Sequence, residues 1–480
     1  MTEASFFWHD YETFGLRPQR DRPAQFAGIR TDLALNIIGE PLELFCQPTN
    51  DFLPDPVSVL ITGITPQMAQ SRGLPEFEFV AAIHAALAAP GTCGTGYNTL
   101  RFDDELTRHL LWRNLYDPYG REWQQQCSRW DLLDCVRATY AFRPDGIDWP
   151  LRDDGSPSFK LEHLTAANGL SHQAAHDALS DVHATISLAR LIRQQQPKLF
   201  EFCYRLRKKD AVVDEIAPTQ RRPFLHISGM YPAQRGCLAV VMPLAWHPTN
   251  KNELAVWDLA HDPSELFALD AEQVRQRLFS RSDELPEGVG RLPIKTIHLN
   301  KSPVVVNNLR TLSPARAEAL GIDMAQAMRH ADLLSSGPDL VGLLREVYQA
   351  RQFSGARDVD EALYDGFIGD ADRRRLERLR RLGPSELVHV PTAFDDGRLE
   401  ELLFRYRARN WPDSLNADEQ QRWANHRRER LIDGVHGGLN LQGHAQLLAE
   451  QRLAHADDTR ATALLDATDA WAKLQAEGLP

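Results

Sequence analysis

Phe6-Phe7-Trp8-His9-Asp10-Tyr11-Glu12-Thr13-Phe14-Gly15 is a run of large apolar residues that delivers two acids two positions apart before a glycine interrupts it. In a strand, side chains at i and i+2 point to the same side of the sheet, so a strand here puts Asp10 and Glu12 on one face. Two carboxylates at the end of a buried strand repel each other and lose hydration. A hard cation held through oxygen, Mg²⁺ or Mn²⁺, offsets both penalties. Alone, the pair more often marks a solvated turn or a helix cap. Two further acidic stretches shift that balance: Tyr97-Asn98-Thr99-Leu100-Arg101-Phe102-Asp103 follows a strand-like segment and opens a helix, and His176-Asp177-Ala178-Leu179-Ser180-Asp181 opens another.

The 480 residues exceed what one hydrophobic core accommodates and imply two or three domains. With 43% hydrophobic and 25% charged residues the composition is that of a soluble globular protein. No basic N-terminal stretch precedes an apolar core, and no apolar run approaches the ~20 residues of a membrane span, which places the chain in the cytosol. Cys46, Cys93, Cys127, Cys135, Cys203 and Cys237 form no C-x-x-C pair, so reduced, buried thiols are expected rather than a zinc site or disulfides. The net charge of −12 speaks against a nucleic-acid partner. Most of that excess, however, lies within residues 1–195, where the candidate metal acids are, and bound divalent ions would offset part of it.

Along the chain, Phe26 to Thr31 and Leu42 to Gln47 read as strands that continue the first in an antiparallel meander, with Asn36-Ile37-Ile38-Gly39 between them as the turn. Thr65-Pro66 is a helix start, and Phe77, Val80, Ala81 and His84 or Leu87 keep helical spacing up to Pro90-Gly91. Thr92 to Tyr97 is the next strand, and Leu106, Leu110 and Leu111 stripe the helix that Asp103 opens. Trp130 to Tyr140 is helical, Gly146 to Ser158 is a loop, and Asp177 to Ile192 closes an α/β layer architecture. Beyond Gln194-Gln195-Gln196-Pro197 come short β-type runs at Phe224–Ser228, Cys237–Leu244, Glu253–Leu259 and Ile294–Leu299, spaced as in a small barrel. Helical periodicity takes over from about Ser313.

Asp10-x-Glu12, Asn98-x3-Phe102-Asp103 and His176-x-Ala178-x2-Asp181 together resemble the three motifs of the DEDDh 3′→5′ exonucleases. His9 to Gly15, Asp21-Arg22-Pro23-Ala24-Gln25-Phe26-Ala27, Ser128-Arg129-Trp130-Asp131-Leu132-Leu133-Asp134 and Arg405-Tyr406-Arg407-Ala408-Arg409-Asn410 are similar to one branch of them, the bacterial exonuclease I family. That resemblance runs through almost the whole chain. It implies an RNase H-like exonuclease domain (mixed sheet flanked by helices) over 1–195, an SH3-like β-barrel domain over 196–350 and an all-helical C-terminal domain over 351–480. The implied activity is processive 3′→5′ hydrolysis of single-stranded DNA to 5′-mononucleotides, in DNA repair and recombination, by a cytoplasmic monomer.

In that family's chemistry, Asp10, Glu12 and Asp181 bind one Mg²⁺ and Asp10 with Asp103 the second, Mn²⁺ being the alternative metal. His176 is the general base, a role that suits a group with an unperturbed pKa of about 6.5. Thr13, beside Glu12, touches the terminal nucleotide. Lys160 stands where the family usually has Arg; it keeps the charge without the bidentate fork. Arg108, Tyr119, Trp123 and Arg137 interleave cations with rings, the composition of a single-strand groove. Tyr116, Arg113 and Arg129 join that stretch. The basic runs Arg205 to Lys209, Arg373 to Arg375, Arg405 to Arg409 and Arg427-Arg428 offer further contacts, though each alone reads as a solvated helix face. Arg143 matches one position that binds the acidic C-terminal tail of single-stranded-DNA-binding protein, while Ser313 lies where that site expects a base. A DEDDh ribonuclease or proofreading exonuclease is the alternative within the class, disfavoured by the nearly 300 residues after Pro197. A non-catalytic scaffold is disfavoured because all four acids and the histidine are present.

Overall fold

The computed structural model describes residues 4–171, 177–349, 355, 358–390, 393–435 and 437–479. These fall into two compact units: Met1–Ser128 with Gln173–His183 and Gly355–Pro480, and Arg129–His172 with Ala184–Ser354. Compactness does not follow chain order, since the first unit joins the N-terminal sheet to the C-terminal helices.

The first sheet runs in the order β3 (Leu42–Phe45), β2 (Pro23–Thr31), β1 (Ser5–Thr13), β4 (Thr92–Thr95), β5 (Ser128–Arg129). β1 to β3 form the expected antiparallel meander, and β4 lies parallel to β1. Phe7 and Tyr11 alternate onto one face of β1 and pack in a core with Phe26 and Phe79. Residues of α3 (Glu76–Leu87) and α4 (Asp103–Arg113) close that core, among them Ile83, Leu87, Leu106 and Leu110. The buried stripe of α3 is Phe79, Val80, Ile83 and Leu87, displaced from the expected one. Phe77 instead packs its ring 4.7 Å from that of Trp411, because α3 carries apolar residues on two sides and serves two cores. Asp55-Pro56 opens α1 (Pro56–Thr62) and Thr65-Pro66 opens α2 (Pro66–Arg72); in both, the polar side chain accepts a first-turn N–H and proline occupies N1.

In the second unit, α5 (Leu132–Phe142) buries Leu132, Leu133 and Val136 as expected, and α6 (Leu161–Ala167) follows the Gly146–Ser158 loop without having been foreseen. The strand runs form an antiparallel five-stranded sheet in the order β10 (Val304–Val306), β6 (Phe224–Ile227), β7 (Leu238–Trp246), β8 (Glu253–Asp258), β9 (Ile294–His298). Its core includes Phe224, Val241, Val256, Ile297 and Val305. β10 is the strand that sequence reading omitted: three valines are too short a run to separate from a buried turn. α7 (Ala178–Gln195) runs from one unit into the other.

Arg405 and Arg407, expected on a solvated face or against DNA, are buried, and so is the side chain of Arg409. Their helix, Arg398–Asn410, packs inside the first unit, and acids distant in sequence receive the charges. Arg409 pairs with Asp51 at 2.8 Å and with Asp360; Arg405 pairs with Asp358 at 2.6 Å. Arg430 lies 3.3 Å from both Asp358 and Asp360, and Arg22 lies 3.4 Å from Asp360 and 3.7 Å from Asp51 and Glu76. Burial alone raises a carboxyl pKa, but the surrounding guanidinium groups overcome it and hold Asp51 and Asp360 well below the usual range. Removing one partner of such a network strands buried charge. Asp360→Ala is expected to destabilise the protein by about 3–5 kcal/mol, read as a lowered midpoint in thermal or urea unfolding. Because Asp51 and Asp360 are depressed, their contribution is present above the unfolded carboxylate pKa of about 4 and fades as pH falls below it; the Asp360→Ala deficit shrinks correspondingly in acid.

Candidate active site

β4 ends at Thr95, paired with Trp8, and the chain then leaves the sheet. Beyond that point β1 keeps its β2 partner on one side only. Asn98 takes a left-handed conformation with φ 64°, which asparagine tolerates better than most residues. That turn brings the chain round into α4. Asp103, the first residue of α4, accepts the vacated N–H of Tyr11 at 3.2 Å through Oδ1, and the Tyr11 hydroxyl meets Thr107 Oγ1 at 3.0 Å one turn along. The next acid, Asp104, is neutralised in a buried ion pair with Arg121, so of the two adjacent carboxylates only Asp103 is committed to the strand edge.

Asp10 and Glu12 share a face of β1 as period two requires, and α7 brings Asp181 to them. One carboxylate oxygen from each of the three lies within 4.8 Å of the others. Glu12 is buried and Asp10 and Asp181 are half-buried. Burial, then Asp103, Glu12 and Asp181, push Asp10 well above its ordinary range. Burial, then Asp181, Asp103 and Asp177, push Glu12 up to about 9. Every charged group behind these two shifts is another carboxylate. His9, next to Asp10, brings no positive charge, since burial pushes it down to about 4. The contrast with Asp51 and Asp360 is direct: arginines depress those acids, while among the described residues the charged groups that shift Asp10 and Glu12 are carboxylates. An all-oxygen, polyanionic donor set of this kind fits a hard divalent cation.

Four of the expected catalytic residues, Asp10, Glu12, Asp103 and Asp181, thus converge; His176 lies outside the described residues. Thr13 is buried and donates its hydroxyl to the Gly15 carbonyl at 2.6 Å. Arg108 is not gathered with the acids. It is buried, forked onto Glu122 at 2.7 and 2.9 Å, and also bonded to Glu105 and Tyr364. Tyr119 is half-buried with Arg108 5.3 Å above its ring, and Trp123 is exposed. In the second unit Arg137 binds Asp134 at 2.6 Å, and Lys160, exposed, lies 3.4 Å from Glu162. Those two cations, with Arg152, Phe159 and Tyr231, line a cavity of about 330 Å³. Arg143 is exposed and donates to the Thr311 carbonyl at 3.0 Å. Asp177 and Gln25, which flank the acids, were not singled out in the sequence; the Asp21 to Ala27 stretch and the acid inside the third motif were their only signals.

Residues 7–189 match the family model described as Exonuclease, 207–350 the Exonuclease I SH3-like domain and 357–475 the Exonuclease I C-terminal domain. Exodeoxyribonuclease I of Escherichia coli (strain K12) is 46% identical over 469 residues, 97% of each chain. The zinc-bound form of the Escherichia coli exonuclease I complex with single-stranded DNA superposes with a TM-score of 0.94 at 44% identity, covering 99% of this chain and 100% of that one. A structure of SSB/Exonuclease I with an inhibitor gives 0.91 at 44%, with the same coverage.

The raised acids have a measurable consequence without metal. A carboxyl raised from 4.5 to about 9 favours the folded state least when ionised, so stability is lost as pH rises through that interval. The unfolding midpoint of chelator-treated protein is expected to fall between about pH 5 and pH 9, and Glu12→Gln is expected to flatten the fall in scanning fluorimetry. Adding Mn²⁺ at pH 7 to the wild type is expected to release protons, measurable by calorimetry in buffers of different ionisation enthalpy.

Proposed function

The chain belongs to the exonuclease I family of exodeoxyribonucleases, and from that premise we propose that it removes 5′-mononucleotides from the 3′ end of single-stranded DNA. The observation that carries this reading is the convergence of Asp10, Glu12 and Asp181 within 4.8 Å, with Asp103 beside them. Asp10, Glu12 and Asp181 hold one Mg²⁺, and Asp10 with Asp103 a second; the zinc in the Escherichia coli complex supports a divalent occupant. When bound, such a pair supplies Lewis-acid charge that offsets the negative charge of the reacting phosphodiester and lowers the pKa of water.

The chain's own groups do the rest. Asp103 ties the free edge of β1 to α4, so the acids on that strand keep their spacing. His176 takes the proton of the attacking water. Thr13, fixed through the Gly15 carbonyl, faces the terminal nucleotide. Lys160, Arg137 and the exposed Trp123 grip the strand further back, whereas the engagement of Arg108 with Glu105 and Glu122 assigns it to holding Tyr119 and Tyr364 in place. The nuclease domain spans residues 1–195, the SH3-like domain 196–350 and the helical domain 351–480, and hydrolysis is processive. The SSB complex of the relative supports docking of the single-stranded-DNA-binding protein tail at Arg143. A cytoplasmic monomer acting in DNA repair and recombination completes the reading; no helix among the described residues is long and apolar enough to cross a membrane.

Digestion of matched single-stranded DNA, duplex DNA and RNA, with and without chelator, tests the assignment. Single-stranded DNA alone is expected to be degraded, from its 3′ end, and only with divalent metal. Asp10→Ala is expected to lower kcat by on the order of 10³-fold or more, since it removes a ligand common to both ions.

A further inference from the structure

Glu12 and Gln25 stand directly opposite each other in the antiparallel register of β1 and β2, and side chains of such a pair emerge on the same face. Gln25 is therefore on the acid face, and it is 2% exposed. A buried carboxamide needs partners for both ends. The Nε2 of Gln25 donates to Glu43 Oε1 at 3.0 Å, on β3, and to Asp177 Oδ2 at 3.4 Å. Its Oε1 accepts the Ala178 N–H at 3.4 Å. Asp177 in turn accepts the Ser180 N–H through Oδ1 at 3.0 Å, capping α7, and its carbonyl accepts the Asp181 N–H at 3.0 Å. One amide thus grips both the capping acid and the first N–H of the helix whose first turn carries Asp181.

From this geometry we propose that Gln25 is a positioning residue for the metal acids: its carboxamide clamps the start of α7 to β2 and so sets Asp181 against Asp10 and Glu12. The inference rests on the proposed cation-holding role of those acids. β1 delivers Asp10 and Glu12 with the rigidity of a sheet, but Asp181 arrives on a separate element at the beginning of its helix. The orphan N–H groups of a helix's first turn must be satisfied by something, and here a sheet residue facing the site satisfies one of them. The donor half of the amide matters as much as the acceptor half, because it lies between Asp177 and Glu43 and binds both without adding charge. A glutamate of the same size would keep the acceptor and lose the donor.

The test uses the full-length protein and Mn²⁺ alone. Gln25→Met preserves length and removes both hydrogen-bonding functions. It is expected to weaken Mn²⁺ affinity in calorimetry by 10- to 100-fold, the usual effect of losing a residue that orients a ligand. The Mn²⁺ concentration for half-maximal digestion is expected to rise by the same factor, with KM for single-stranded DNA unchanged and activity recovering at saturating metal. Gln25→Glu is expected to behave alike, and it carries the test if the methionine variant does not fold. Wild-type Mn²⁺ affinity in a folded variant, whatever its kcat or unfolding midpoint, would overturn the proposal and leave Gln25 a packing residue. Asp10→Asn in the wild-type background separates the two readings: if it binds Mn²⁺ normally, the cation site itself is misassigned, and if it loses Mn²⁺ while both Gln25 variants keep it, only the clamp fails.

Discussion

Like charge gathered in one place is the constraint around which the acid face of β1 is arranged. Asp10, Glu12, Asp103 and Asp181 come from two strand positions and two helix starts, and each approach works against the repulsion of the others. The hydrogen bonds of the surrounding backbone hold them there. Asp103 is anchored by the strand N–H that β4 leaves free, Asp181 by a capped helix start, and Asp10 and Glu12 by the alternation of β1. A divalent cation supplied from solution completes an arrangement in which Asp10 and Glu12 otherwise tend to keep their protons.

The same unit contains the opposite solution. Around Asp51, Glu76, Asp358 and Asp360, guanidinium groups from Arg22, Arg113, Arg405, Arg409 and Arg430 make a buried network in which the acids are held ionised. Asp51 and Asp360 are buried more deeply than Asp10, yet they are depressed and Asp10 is raised, so the arginines, not the depth, decide the direction. Replacing such a network by apolar packing is often neutral or stabilising in other proteins; here its donors and acceptors tie the helix Arg398–Asn410 to Asp51, Asp358 and Asp360.

The acids were legible in the sequence because their spacing is local. Period two gave Asp10 and Glu12 a common face, helix starts placed Asp103 and Asp181, and the resemblance of the three motifs joined them. What was not legible depends on partners far along the chain. Arg405, Arg407 and Arg409 read as solvent-facing because a run of arginines on a helix usually is; the burial of Arg405 and Arg409 is set by Asp51, Asp358 and Asp360, and Asp51 lies more than three hundred residues upstream of them. Arg407 likewise turns inward, to Glu419 at 2.7 Å. Gln25 is a polar residue inside the apolar stretch Pro23 to Ile29, a pattern visible in the sequence, yet its partners at the start of α7 become apparent only once the sheet register is known. The stripe of α3 was misplaced for a related reason, since periodicity identifies one buried face and this helix has two.

The network has a consequence for how the polypeptide is made. Arg22, Asp51, Glu76 and Arg113 leave the ribosome early, while Asp358, Asp360, Arg405, Arg409 and Arg430 are among the last quarter or so to be synthesised. Until then Arg22, Asp51, Glu76 and Arg113 have only one another as partners, without the Arg409 that helps hold Asp51 and Glu76 ionised. Completion of the network is thereby deferred to the end of translation, and a prematurely terminated chain lacks Asp358, Asp360, Arg405, Arg409 and Arg430.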